Sequence, residues 1–197
     1  MVAVKKYTGL DINIAEALRY AGAQGCDHGE TLALLGECLS ELSGARQGSV
    51  CYETLEVRWS SDKLYLGNIP IESEDMEKYL DGCEKAIIFA ATIGVLPDRL
   101  IGKYVRISPV RALMTDACGS ALVESLCDDF CEDMRQIHSA EGRATRTRVS
   151  PGYGDIPLGL QKDIFALLDC ERKIGLSLTD SLLMTPTKSV TAIIGVT

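Results

Sequence analysis

Arg148 opens the stretch RVSPGYGDIP, and a tyrosine, two glycines and two prolines follow it within nine residues. An arginine can hold a carboxylate or a phosphate bidentately. A tyrosine can stack on a flat ring or lend its hydroxyl. Proline fixes φ and removes a donor, while glycine admits positive φ and lets a ligand approach the main chain. Ser150, Gly152 and Tyr153 thus stand beside Arg148 on a preshaped loop that suits a ligand with one anionic and one flat end. By residue type alone, a tight turn whose tyrosine packs back on the core is the commoner use of such a sequence.

Little else in the chain carries chemistry. Neither GxGxxG nor GxxxxGK[ST] occurs, and no serine has a visible His and Asp partnership. The eight cysteines form no CxxC pair, and two histidines give no zinc-ligand spacing. The cysteines read as free thiols packed as small hydrophobes in a cytoplasmic protein. His28 falls in the first turn of a helix and His138 near the end of another. Glu124 reads as a solvated glutamate, and Lys188 and Ser189 as a turn entering a strand. The net charge of −8 argues against nucleic acid and anionic membrane surfaces. No run approaches the ~20 apolar residues of a membrane span, and the N-terminus lacks the apolar run of a signal peptide. Arg143, Arg146 and Arg148 form the single arginine cluster.

The elements that must position these residues are mixed. Residues 12–20 (INIAEALRY) read as a helix opened by Asp11 or Asn13. Asp27 and Glu30 have the spacing of a capping box, and Leu32, Leu35, Leu39 and Leu42 follow at helical intervals. SVCYETLEVRWS alternates as a strand, with KLYLGNIPI as its hairpin partner or a short following strand. EDMEKYL is a short helix, and KAIIFAATIG (85–94) a buried central strand. Ser108 and Pro109 open a helix that runs to about His138, ~45 Å at the usual rise. Its core stripe is Leu122, Leu126, Phe130, Met134 and Ile137, widened by Val123, Cys127 and Cys131. ATRTRVS reads as a short strand, LQKDIFALLD as a helix, and LSLTDSLLM and SVTAIIGV as strands. Hairpin signals without βαβ alternation make the class α+β. The 197 residues read as one domain with a helical N-terminal part to about residue 46.

The segments RVSPGYGDIPLGLQKDIFALLD and KIGLSLTDSLLMTPTKSVTAIIG carry three motifs in order: R-x-x-PGY, IG-x-x-LT-[DE]-S and M-x-P-x-x-SV-[ST]. Over about residues 148–195 the chain resembles the activation (reactivation) domain of cobalamin-dependent methionine synthase. FAATIG and DACGSALVESLCDDFCEDM resemble that family more loosely. The first eighty or so residues are similar to its small stand-alone versions. The resemblance implies a twisted antiparallel sheet with flanking helices, an activation-domain-like core over about 47–197, and a site for S-adenosylmethionine (AdoMet). Carried across, Arg148 holds the methionyl carboxylate. Ser150, Gly152 and Tyr153 present loop backbone and a ring near the adenosyl part, and Glu124 matches an acidic position of the long helix near the site.

The resemblance implies no catalytic side chain and no metal ligand. The protein contributes proximity and orientation, and cobalamin on a partner carries the reaction. Two departures stand out. The family's full-length enzymes continue into an aromatic segment whose tyrosines contact AdoMet, whereas this chain ends at Thr197. The family's N-terminal aspartate contact has no counterpart. No cobalamin-binding or homocysteine-binding part is expected within these residues. The expected role is a reactivation subunit that supports reductive methylation of cob(II)alamin on a separate cobalamin-dependent methionine synthase or other corrinoid protein, with a flavoprotein as a candidate electron donor. The alternatives are a non-catalytic docking or chaperone module for a corrinoid methyltransferase, its AdoMet site vestigial, or a different AdoMet- or nucleotide-binding protein on the same fold.

Overall fold

A computed structural model describes residues 1–25, 29–61 and 63–197. Its centre is built by the longest apolar segments. Strands β2 (Gln47–Ser60), β5 (Lys85–Thr92) and β8 (Ser189–Val196) lie side by side and antiparallel, with Phe89 opposite both Tyr52 and Ala192. β5 is buried at every position after Lys85. Ile87, Phe89 and Ala91 face one core, and Ala86, Ile88 and Ala90 face a second. Successive side chains of a strand point to opposite faces, so a strand covered on both sides must be apolar throughout.

β2 outruns its neighbours and is shared among them. β1 (Ala3–Thr8) pairs with its first half, and β3 (Lys63–Leu66) with its end. β4 (Ile69–Ile71) then folds back on β3. The curled sheet runs β4-β3-β2-β5-β8, with β1 alongside β2. Helices α1 (Ile14–Tyr20), α2 (Gly29–Glu41), α4 (Leu96–Tyr104) and α5 (Pro109–Ala140) cover one face. Helices α3 (Glu74–Leu80), α6 (Leu160–Leu168) and α7 (Cys170–Ile174) cover the other. The expected α+β class with an antiparallel sheet and flanking helices is the observed one.

α5 starts as its sequence dictates. The Ser108 hydroxyl accepts the Arg111 N–H at 3.4 Å, and Pro109 occupies the first turn, where no amide donor is needed. Leu122, Leu126, Phe130 and Met134 are buried, and Phe130 packs between Tyr52 and Phe89 at ring-centroid distances of 5.1 and 4.7 Å. Asn13 caps α1 by accepting the Glu16 N–H.

Several readings need correction. Ile137 is 48% exposed, because the four-residue row continues from Met134 to His138, which is buried in its place. ATRTRVS forms no continuous strand: it touches β8 by isolated bridges at Thr145–Val196 and Val149–Ile193. LSLTDSLLM is not one strand but a small hairpin of β6 (Ser177–Leu178) and β7 (Met184–Thr185). The Thr179 hydroxyl accepts the Leu183 N–H at 3.0 Å and closes its turn. β1, α4 and α7 went unread, and β1 lies within the stretch taken as helical. Cys26, Asp27 and His28, with the capping box assigned to Asp27, lie outside the described residues.

Candidate functional site

β8 has β5 on one side only, and residues 144–150 run along its other edge without completing a ladder. That irregular path carries Arg148 across to α5. One guanidinium nitrogen donates to Glu124 Oε2 at 2.5 Å, and another to Asp128 Oδ1 at 2.5 Å. Glu124 and Asp128 are four residues apart on one helix, so they share a face and repel. Arg148 between them offsets that repulsion. Burial works to lower the Arg148 pKa, but the hydrogen bond to Asp128 and the nearby negative charge prevail and hold it above its ordinary value.

The next residues form the loop. Gly152, at φ +92°, donates its N–H to the Ile156 carbonyl at 2.9 Å, and Gly154 follows at φ +58°. Both conformations favour glycine. The loop is fastened to the start of α3. Asp155 accepts the Ser73 hydroxyl, the Glu74 N–H at 2.7 Å and the Asp75 N–H at 3.2 Å. Asp75 Oδ2 returns the bond by accepting the Asp155 N–H at 3.2 Å. The Ser73 hydroxyl, then the two helix amides, hold the Asp155 carboxyl below its ordinary pKa. A second tie comes from Tyr79, whose hydroxyl donates to the Thr147 carbonyl at 2.8 Å and accepts the Gly195 N–H at 2.9 Å. Burial pushes the Tyr79 phenol up to about 12.

Between α3, α5 and this loop lies a cleft of about 440 Å³, lined by Asp75, Tyr79, Glu124, Arg148, Val149, Ser150, Tyr153, Gly154, Ile156 and Val190. The sequence reading named five residues, and four of them meet here: Glu124, Arg148, Ser150 and Tyr153. Gly152 shapes the turn but does not line the cleft. Tyr153 is 74% exposed at the mouth, so its ring does not pack back on the core. Of the arginine cluster, Arg148 alone lines the cleft. Arg146 donates to the Tyr79 and Asp81 carbonyls at the end of α3, and Arg143 stands 3.6 Å from Glu84.

The reading missed Asp75, Tyr79 and Asp128. A signal for Asp128 was present: Asp116, Ser120, Glu124 and Asp128 recur every four residues along α5. It also missed Lys188, whose side chain is only 10% exposed. Its Nζ donates to Asp116 at 2.8 Å and Ser120 at 3.0 Å, and its stem packs on Gly119. The seven described cysteines are free thiols, all buried except the half-buried Cys131. They pack as small hydrophobes, as expected, and burial pushes Cys118 up to about 12.

Residues 82–196, more than half of the chain, match the family described as vitamin B12 dependent methionine synthase, activation domain. The chain belongs to this family. The matched activation-domain segment holds Glu124, Asp128, Arg148 and the loop, but not Asp75 or Tyr79. Among solved structures the chain is similar to one described as the MetH reactivation domain bound to AdoHcy. The TM-score is 0.77 at 17% identity, covering 99% of this chain and 78% of that one. At that identity the likeness is one of fold. No curated protein matches the chain. Among the described residues, no helix is long and apolar enough to cross a membrane.

Proposed function

We propose that this activation-domain chain binds AdoMet in the cleft at Arg148 and serves as the reactivation subunit of a separate cobalamin-dependent methionine synthase. The observation that carries the reading is the convergence of Arg148, Glu124 and the exposed Tyr153 on one cleft. Its volume of about 440 Å³ falls within the ~300–1,000 Å³ of small-molecule sites. AdoMet offers an amino-acid head, a sulfonium methyl and a flat base, and the lining offers a partner for each end. Arg148 meets the carboxylate, Glu124 receives the ammonium, and Tyr153 gives the base a ring to stack on. Val149, Ile156 and Val190 supply apolar surface between the ends. The likeness to a reactivation domain bound to AdoHcy supports the same ligand class.

Arg148 already holds two carboxylates, one on each terminal nitrogen, so a ligand carboxylate that takes the fork bidentately displaces one. Asp128 is the one to leave. Its side chain is 69% exposed against 34% for Glu124, so water replaces the arginine at little cost. When bound, AdoMet supplies the methyl group for reductive methylation of cob(II)alamin. The chain's residues bind and orient it, and none acts as acid, base or nucleophile. The matched fold accounts for 99% of these residues, so cobalamin is brought from outside them, and a flavoprotein is a candidate source of the electron.

Calorimetric titration with AdoMet, alone and with a cobalamin-bearing synthase, tests the reading. Binding is expected, together with recovery of an oxidised synthase only when chain, AdoMet and reductant are all present. No binding in either condition would overturn it and leave a docking module with a vestigial site.

A further inference from the structure

None of the cysteines lines the cleft, yet two of them meet in the second core. Cys51 lies in β2 opposite Ala90 of β5 and points to the side that α6 and α7 cover. Cys170 opens α7, which packs on β2. Their sulfurs stand 3.8 Å apart, the one thiol–thiol hydrogen bond among the described residues. The two positions are 119 residues apart in sequence, so only the fold brings them together. Among the described residues no further cysteine, histidine or carboxylate joins them, which leaves the pair short of the tetrahedral set of a structural metal.

Both thiols are buried, but their cover is thin. α7 has five residues and runs between two left-handed ones, Asp169 at φ +51° and Gly175 at φ +67°. Glu171, Arg172 and Lys173 are exposed on its outer side. So short an element opens locally at small cost, whereas Cys51 is held in the middle of the sheet. The hydrogen bond between the sulfurs holds the Cys51 thiol below its ordinary pKa and Cys170 above, so Cys51 ionises first. The thiolate is the reactive form.

We propose that Cys51 and Cys170 are a redox modification site, a dithiol that a peroxide closes to a reversible disulfide tying α7 to β2. The Cys51 thiolate attacks one oxygen of hydrogen peroxide. An S–O bond forms as the O–O bond breaks, leaving a sulfenic acid at Cys51 and a hydroxide that takes up a proton to become water. The Cys170 thiol then attacks the Cys51 sulfur. The S–S bond forms, the S–O bond breaks, and the oxygen leaves as water with the Cys170 proton. Two thiols lose two electrons and two protons, and the peroxide becomes two waters. A dithiol reductant restores both thiols by exchange and leaves as its own disulfide. The bridge closes a ring of chain that contains α3, α5 and the loop after Arg148, and it anchors the α6–α7 segment into which that loop runs. Oxidation thereby stiffens the scaffold of the cleft without touching its lining, whatever the cleft binds.

The test is peptide mapping of the full chain by mass spectrometry, under non-reducing conditions, after treatment with hydrogen peroxide. A linked pair of peptides carrying Cys51 and Cys170 is expected, lighter than their sum by two hydrogens and lost on adding dithiothreitol. The oxidised chain should melt about 5–10 °C higher, and the shift should vanish on re-reduction. Cys170→Ala removes the resolving thiol, so dimedone, which captures sulfenic acids, should label Cys51 in that variant. No adduct there would overturn the order of attack. The wild-type map decides the site without a variant. Both residues still thiols while other cysteines oxidise, either one bridged to a different cysteine, or both carried on to sulfinic acids would overturn the assignment. A bridged chain that melts no higher than the reduced one would overturn the stiffening.

Discussion

Two cations reach the same face of α5, two turns apart, and do different work. Lys188 comes from the start of β8 and bonds to Asp116 and Ser120 with 10% of its side chain exposed. Arg148 comes from the irregular segment beside β8 and bonds to Glu124 and Asp128 with 22% exposed. The acceptors form one four-residue stripe, so the local chemistry is the same. The surroundings separate them. Lys188 lays its stem against Gly119 and seals its own site, whereas Arg148 opens on a cleft with apolar walls and a tyrosine at its mouth. A compact ammonium on a packed stem is a latch, while a guanidinium fork with spare donors can exchange one carboxylate for another.

Substitution can break this contrast. Lys188→Ala should cost about 1–2 kcal/mol of stability in urea unfolding, mainly through lost stem packing, since the half-exposed Asp116 can be solvated. Its effect on AdoMet affinity should stay within about twofold, because the latch does not line the cleft. Arg148→Ala should do the reverse. It should weaken AdoMet by about 2 kcal/mol, roughly thirtyfold, with a smaller change in stability. If both variants moved stability and affinity alike, the two cations would be one structural unit. Asp128→Asn sharpens the contrast by loosening one hold on Arg148, and should tighten AdoMet by about threefold in the same titration.

The opposite wall is held by main-chain amides rather than by a cation, and smaller effects are expected there. Gly154→Ala places a side chain at positive φ and against Asp75, and should lower the unfolding midpoint by an amount equal to about 1 kcal/mol. Acid should loosen the same clamp. The folded Asp155 pKa lies below its unfolded value of about 3.9, so its contribution is present above about pH 4 and lost as pH falls through the folded value. Unfolding midpoints of the wild type and Asp155→Asn should therefore converge on acidification. A gap that stayed constant with pH would remove the charge of Asp155 from the clamp.

What the sequence revealed follows the length and purity of its signals. β5, β8 and α5 each carry a long run of one periodicity, and each forms nearly as read. β6 and β7 have two residues each, too few for any period, and the turn residues Thr179 to Ser181 between them were read through. β1 alternates in burial but not in polarity: in AVKKYT Val4 faces outward and Lys5 inward, so no period of two can be read from the sequence. The loop at the site was legible because proline and glycine restrict the main chain whatever surrounds them. Asp75 was not, since an acid in the first turn of a helix is ordinary and only the fold brings it opposite Glu124. Lys188 was hidden for a related reason: a lysine entering a strand reads as solvated until its partner on α5 is seen.

The central claim is that Arg148 trades one of its two carboxylates for that of AdoMet. A crystal structure of the chain grown with AdoMet tests it most directly. The ligand is expected in the cleft between Glu124 and Tyr153, its carboxylate on Arg148, with Glu124 retained and Asp128 released to solvent. Arg148 still bonded to both Glu124 and Asp128, with AdoMet elsewhere or absent, would contradict it.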